Sequence, residues 1–346
     1  MKRVRFKDYL KDYLEYNNIT NKDFANRIGI TPKHLCDILA GNVNVSADIV
    51  NKISIVTDIP IDYIYDIELN YMFENEIENY LKMNEYTETE YLKKFNYNYL
   101  IKSKFIDFID TSDKLEIIKD ILKFLRVSSP ERVHDIDKTA YYKSKNDKPE
   151  LLLLWLEKCY RETLKQNVKE YKKENINILV QYVIEMAKND KFDEKAITNM
   201  FNENGVYFVI QDDIPGSKIR GAFKVNRDIP AIYLTHKYKR IADVYFAMLH
   251  ELAHCKTDFN RAQATNMVSY DGRIDELEEK ADAQAYDWMV DNKYYDTICK
   301  NQDYNIEEEK EYPKSFVAYR LAKDGKTRYN SKVYQKYNVL LDELKH

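Results

Sequence analysis

At 346 residues, 44% of them hydrophobic, the chain is long enough for two or three domains with buried cores. Its net charge of −4 excludes a strong attraction of the whole chain to nucleic acid or to an acidic membrane. Four widely spaced cysteines, no signal-peptide pattern and no apolar run of membrane-spanning length argue against a secreted or membrane protein, so we expect a cytoplasmic one.

Residues 1–66 show the pattern of a compact bundle of short helices. Thr20 is placed to cap a second helix that ends at Gly29, and Thr31 is placed to cap a third helix that ends at Gly41. Two short helices joined by a tight turn at Gly29 form a helix-turn-helix. We therefore predict that this segment is a DNA-binding domain.

The order ITNKDFANRIGITPKHLCDILAG resembles the Xre (Cro-type) helix-turn-helix domain, and the continuation VSADIVNKISIVTDIPIDYIYDIELNY resembles its HigA-like antitoxin branch. The resemblance implies that a homodimer places the third helix in the major groove of a double-stranded DNA operator. Three side chains of that helix could then reach base edges: Lys33, His34 and Asp37. Three others could hold phosphates: Asn21, Thr31 and Asn42.

The charge of this first segment leaves an alternative open. Residues 1–66 contain nine Lys and Arg and nine Asp and Glu, a net charge of zero, whereas a DNA-binding domain usually shows a basic surface. Eight of the cations and five of the acids lie in 1–40, so the DNA-facing side could still be positive. The alternative is a small helical module used for self-association, or one that has lost its operator.

Residues 67–190 are predicted to form helices and contain no recognisable chemical motif. Apolar residues recur at helical spacing in TSDKLEIIKDILKFLRV and in LLLLWLEKCYRETLKQNV. We expect a helical connecting domain, which could also carry a dimer interface.

Residues 191–346 change from helical to strand periodicity. Three short strands are predicted, at 206–210, 219–225 and 229–235, and the motif HELAH follows them at 250–254. We therefore expect a mainly α chain, α+β overall, in which a small sheet packs against the HELAH helix.

The HELAH motif places His250 and His254 four residues apart, on one face of a helix and one turn from each other. Two imidazoles in this arrangement can bind one Zn²⁺, and Glu251 between them can reach a water on the metal. The alternative interpretation is a surface helix with a half-buried histidine pair.

A hydrolytic zinc site needs a third protein ligand and one open position. The acidic helix predicted at 275–289 offers Glu278 as that ligand, with Glu279 as its nearest rival. Asp282 lies one turn after Glu278 and could hydrogen-bond the far nitrogen of a ligating histidine. We expect one zinc per chain; the alternative is a solvated acidic helix.

The segments PGSKIRGAF, IPAIYLTHKYKRIADVYFAMLHELAHC and EEKADAQA resemble the ImmA/IrrE family of metallopeptidases, and nearly the whole chain resembles fused Xre–ImmA regulators. The resemblance implies a zincin-like domain with His250, His254 and Glu278 as ligands and Glu251 as general base. It also implies cleavage of a protein, in this family often a repressor. The sequence departs from the family pattern at Ala253, often Gly, and at Gln284, often Phe.

Peptide hydrolysis would also need a donor to the tetrahedral oxyanion, and four residues are candidates: Arg220, His236, Tyr245 and Tyr270. An extended substrate could pair with an edge strand at 219–225 or 229–235.

Two other functions remain open at this point. One is a HigA-like antitoxin or phage-type repressor whose idle peptidase-like domain senses a ligand or holds a cognate toxin. The other is a peptidase whose first domain only dimerises it.

Overall fold

The computed structural model describes residues 5–133, 148–265, 269–270, 276–301 and 304–344. The chain divides into two compact units, Met1–Tyr91 and Leu92–His346. The ranges predicted from the sequence, 1–66, 67–190 and 191–346, do not coincide with this division. The difference arises because a long helix after residue 60 packs within the first unit, while the helices of 92–190 pack within the second.

The first unit is a helical bundle. Its helices are α1 Phe6–Tyr16, α2 Asn21–Ile28, α3 Pro32–Ala40, α4 Ala47–Thr57 and α5 Ile61–Met83. Helix α6, Glu88–Lys94, begins in this unit and ends in the next. The apolar faces of the first five helices meet in one core, to which α5 contributes Ile64.

The ends of α2 and α3 confirm the expected capping. The Thr20 hydroxyl accepts a hydrogen bond from the backbone N–H of Asp23, and the Thr31 hydroxyl accepts one from that of His34, each at 3.2 Å. Gly29 ends α2 with φ +67°, a left-handed conformation that favours glycine. Together these contacts fix a tight turn between the two helices.

A buried carboxylate that the sequence did not reveal holds α5 against α1. Glu68 accepts a hydrogen bond from the backbone N–H of Phe6 at 3.1 Å, and its other oxygen lies 3.5 Å from the Arg5 guanidinium. A carboxylate at the N-terminus of α1 also interacts favourably with the helix dipole. This contact explains why the first unit extends beyond residue 66.

The second unit contains the remaining helices and a small sheet. The helices are α7 Tyr97–Lys102, α8 Lys114–Leu125, α9 Pro149–Thr163, α10 Asn175–Lys188, α11 Glu194–Glu203, α12 Ile241–Thr257, α13 Phe259–Thr265, α14 Glu276–Met289, α15 Asn292–Lys300, α16 Lys314–Lys323 and α17 Lys332–Tyr337. Two short 3₁₀ helices lie at Ile306–Glu308 and Leu341–Leu344. The strands are β1 Tyr207–Ile210, β2 Gly221–Asn226, β3 Ile229–Leu234 and β4 Ser269–Tyr270.

The sheet has the order β1-β3-β2-β4. Strand β3 pairs in parallel with β1 and antiparallel with β2, while β4 pairs with β2 at Ala222 and Phe223. The three predicted strands are therefore present, with slightly different ends. The expectation of a substrate-binding edge is wrong for 229–235, because β3 is hydrogen-bonded on both sides, and 219–225 is covered in part, because β4 pairs with β2 at Ala222 and Phe223.

Helix α12, which carries HELAH, lies in the interior of the second unit. Thirteen of its 17 residues are buried. It packs against β2, β3, α10, α14 and α16. The alternative of a surface helix with a half-buried histidine pair is therefore wrong.

The structure also bears on two expectations drawn from composition. The four cysteines, Cys36, Cys159, Cys255 and Cys299, are all free. Within the described part of the chain, every helix is too short or too polar to cross a bilayer.

The core of the first unit generates a stability prediction. Phe24 on α2 is fully buried, so Phe24→Ala should lower the free energy of unfolding by about 3–5 kcal/mol through lost burial and the cavity left behind. Urea denaturation followed by circular dichroism measures this loss. Tyr16→Ala is the matched control, because Tyr16 is 88% exposed, and an equal loss for the two variants would contradict the packing described.

Candidate metal centre

Three predicted ligands converge in the interior of the second unit. One nitrogen from each of His250 and His254 and a carboxylate oxygen of Glu278 all lie within 4.8 Å of one another. All three side chains are buried. The cluster forms because α12 presents both imidazoles on one face and α14 packs across that face.

The distances within the cluster are short and nearly equal. The two Nε2 atoms are 3.1 Å apart, the His250 Nε2 is 3.2 Å from one Glu278 oxygen, and the His254 Nε2 is 3.4 Å from the other. Ligands at 2.0–2.1 Å around a tetrahedral zinc are separated by about 3.3 Å. The two Nε2 atoms are therefore near the separation that a tetrahedral ion requires, and each lies at a similar distance from one oxygen of Glu278.

Each imidazole is oriented by a second carboxylate on its far side. His250 Nδ1 is 2.8 Å from an oxygen of Asp282, and His254 Nδ1 is 2.7 Å from an oxygen of Asp258. Because a carboxylate can only accept, both Nδ1 atoms carry the proton. Both Nε2 atoms then face the shared space as potential ligands, the arrangement that metal-binding histidines usually show.

Asp258 is a site residue that the sequence reasoning missed. It is the C-cap of α12, four residues after His254 and therefore on the same face of the helix. That spacing was visible in the sequence and could have identified it. Asp282, by contrast, was predicted and lies where it was expected, at Nδ1 of His250.

The electrostatics of the cluster favour a positive occupant. Burial alone lowers the pKa of His250, but hydrogen bonds with Asp282 and Glu278 and the charge of Glu251 outweigh burial and raise it to about 10. The pKa of His254 is likewise raised to about 9, against burial, by Asp258, Glu278 and Glu251. Four carboxylates surround two imidazoles, so protons or a divalent cation must balance the charge. The donor set of two imidazoles and a carboxylate suits Zn²⁺.

Glu251, the predicted general base, is 1% exposed and lies on the same helix as both histidines. The negative charge of Glu251 helps to raise the pKa of both imidazoles. A buried carboxylate beside the cluster can exchange a proton with a molecule bound there while bulk water is kept away.

Aromatic side chains line the cluster and limit how far the imidazoles can turn. The Phe223 ring on β2 is stacked nearly parallel to the His254 ring, with centroids 6.4 Å apart. Phe246 lies 6.1 Å from the His250 ring and packs on Tyr286 and Tyr319. The low polarity of these walls strengthens the charge interactions inside the cluster.

Two of the four predicted oxyanion donors do not suit that role. Tyr245 is fully buried between Phe192 and Phe316, and its hydroxyl donates to the backbone carbonyl of Lys191. Tyr245 therefore faces the apolar core rather than the cluster.

His236 is exposed, and its ring nitrogens contact Asp212 at 2.7 Å and Glu194 at 3.3 Å. Neither carboxylate belongs to the cluster of His250, His254 and Glu278, so His236 is held elsewhere. Arg220 is exposed and immediately precedes β2. Its role as an oxyanion donor stays a prediction. The side chain of Tyr270 lies outside the described residues. Its backbone, in β4, pairs with Ala222 of β2.

The predicted DNA contacts lie around α3 of the first unit. Asn21, Thr31, Lys33 and Asn42 are exposed, and His34 and Asp37 are half-buried. The Thr31 hydroxyl already caps α3. Because the cap uses an acceptor lone pair, the O–H of Thr31 can still donate a hydrogen bond to a phosphate oxygen.

In comparisons with protein-family models, with curated proteins and with solved structures, no match to this chain is found.

The carboxylate behind His254 generates a metal-affinity prediction. Asp258→Asn should weaken zinc binding by about 10- to 100-fold, because the amide no longer fixes the ring with its Nε2 turned inward. Competition with a chromophoric chelator measures the affinity.

Glu276→Gln is the matched control, since Glu276 is an exposed acid on α14 two residues before the ligand Glu278. Equal zinc affinity for wild type and Asp258→Asn would mean that Asp258 does not orient the ligand.

Proposed function

We propose that the chain is a DNA-binding transcriptional regulator with a zinc-dependent metallo-endopeptidase domain of the ImmA/IrrE type. In this proposal it acts in the cytoplasm as a homodimer and cleaves a repressor-type protein or itself. The observation that carries the enzymatic half is the convergence of His250, His254 and Glu278 beside the buried Glu251.

The residues of the cluster would have different roles in peptide hydrolysis. His250, His254 and Glu278 would hold the zinc ion, while Asp282 and Asp258 keep the two rings oriented. When bound, zinc lowers the pKa of water to about 7 and polarises a carbonyl group.

Glu251 takes a proton from the attacking water and later delivers it to the leaving amine, which is general acid–base work. Its burial supports this assignment, because a carboxylate shielded from solvent exchanges its proton with the reacting groups rather than with bulk water. The wall formed by Phe223 and Phe246 serves the same exclusion of water.

The DNA-binding half of the proposal depends on the first unit. Helices α2 and α3 are joined by a tight turn at Gly29, and Lys33 and Asn42 are exposed at the two ends of α3. A short helix with exposed polar residues can enter a major groove and contact base edges. The resemblance of this segment to Xre domains supports the same function.

The general base generates the first functional prediction. Glu251→Gln should keep one zinc per chain but lower proteolysis by about 100- to 10,000-fold, because the amide cannot accept the proton from water. His254→Ala should lose both zinc and proteolysis. Mass spectrometry of new N-termini, in the purified zinc-loaded chain and in proteins co-expressed with it, measures cleavage.

Glu279→Gln is the control, since Glu279 is exposed beside the ligand Glu278 on α14. If cells that express Glu251→Gln show the same new N-termini and the same promoter response as cells that express the wild type, the peptidase assignment fails. In that case an idle sensing or toxin-binding domain would account better for the cluster.

The α3 surface generates a DNA-binding prediction. Lys33→Ala should weaken binding to the duplex selected by the wild type from a randomised library by about 1–3 kcal/mol and should reduce its salt dependence. Lys82→Ala, a change at a lysine whose side chain is 75% exposed on α5, is the control. Wild-type binding that shows no salt dependence would favour a first unit that serves only in self-association.

A further inference from the structure

Gly221, the first residue of β2, does not have the positive φ that usually explains a glycine. Six glycines lie in the described part of the chain, and five of them have a positive φ that favours glycine. Gly221 is the exception. A glycine inside a strand destabilises it by about 0.5–1 kcal/mol relative to alanine, so the absence of a side chain here calls for a steric explanation.

The steric explanation is the carboxylate of Glu251. A Cβ atom built on Gly221 would stand 2.8 Å from Oε1 of Glu251, a distance that real Cβ atoms essentially never show. It would also stand 3.0 Å from a methyl carbon of Leu234 and 3.3 Å from the carbonyl oxygen of Tyr233. The space that a side chain would take is therefore already filled, and the carboxylate is the tightest neighbour.

The strand cannot easily move aside to admit a side chain. Gly221 pairs with Leu234 in the antiparallel ladder of β2 and β3, and β3 is itself held on its other side by β1. Glu251 is 1% exposed on a helix packed against both strands. A methyl group at Gly221 would have to displace the carboxylate.

We propose that Gly221 is a positioning residue for Glu251, because its missing side chain lets the carboxylate lie against the backbone of β2. This inference rests on the proposed peptidase function. Its consequence is that metal binding and base function depend on different elements, although Glu251 itself belongs to α12. The ligands come from α12 and α14, whereas the position of the base is set by β2.

The alternation of side chains along β2 supports this division. Phe223, two residues after Gly221, points to the same face of the sheet and stacks on the ring of His254. One face of a single strand thus meets both the base and a ligand. At Gly221 this face has no side chain, so the carboxylate of Glu251 fits against it. At Phe223 the aromatic ring supports the imidazole of His254.

The test uses the full-length protein loaded with Co²⁺ and acetohydroxamic acid as the probe. A hydroxamic acid must give up its proton as it binds a metal centre, and Glu251 is the neighbouring group that can take that proton. Gly221→Ala should bind Co²⁺ with unchanged affinity yet bind the probe about tenfold more weakly or worse, because the acceptor is displaced. The visible absorption of Co²⁺ measures both affinities.

A double-mutant cycle with Glu251→Gln shows whether Gly221 acts through the base. If it does, Gly221→Ala should have no further effect on probe binding in the Glu251→Gln background. Val225→Ile is the matched control, since it adds one methyl group to the same face of β2, four residues away from Gly221. It should leave probe binding unchanged.

The outcomes separate this inference from the proposed function. If Glu251→Gln weakens probe binding while Gly221→Ala does not, the positioning role of Gly221 is wrong and the base assignment stands. If the wild type binds no Co²⁺, or if Glu251→Gln binds the probe as the wild type does, the proposed function is wrong.

If Gly221→Ala does not fold, the same two affinities are measured on Gly221→Ala combined with Leu234→Ala. That pair removes the contact of the new methyl group with Leu234 but keeps its contact with Glu251. Probe binding equal to that of Leu234→Ala alone would overturn the inference.

Discussion

The second unit is organised around the concentration of negative charge at two buried imidazoles. Glu278 faces both Nε2 atoms, Asp282 and Asp258 accept hydrogen bonds from the two Nδ1–H groups, and Glu251 lies on the same helix as both rings. Burying so much charge is costly unless it is balanced and hydrogen-bonded in place. The balance requires α14 to lie across α12 at a fixed separation, so the packing of these two helices and the chemistry of the cluster constrain each other.

The sheet closes a side of the cluster that helices α12 and α14 leave open. Helices α12 and α14 bring the ligands together, but the cluster is closed on one side by β2, which meets α12 through Gly221 and Phe223. Because β2 is held by β3, and β3 by β1, this wall is rigid. The small sheet of this mainly helical chain therefore holds Glu251 and the ring of His254 against one side of the cluster.

The first unit depends on a different kind of contact. Its core is built of apolar side chains, and the carboxylate of Glu68 joins the N-terminus of α1 to the side of α5. Glu68, together with Ile64 in the core, joins α5 to the bundle, so the compact unit extends past the four helices that the sequence pattern marked. The exposed side chains proposed to meet DNA are thereby carried on a bundle of five helices rather than four.

The sequence alone determined the features that depend on neighbours along one helix. The spacing of His250 and His254 places both rings on one face, and Gly29 ends α2, because helical geometry relates residues a few positions apart wherever the helix lies. Glu278 and Asp282 lie four residues apart, so the same geometry places both on one face of α14, and they could be proposed as partners of the two histidines. Only the tertiary structure decided that α12 is buried, that β3 is central, that Tyr245 faces the core and that Gly221 meets Glu251. These features join residues from separate elements, and local spacing does not say which elements pack together or which way their faces turn.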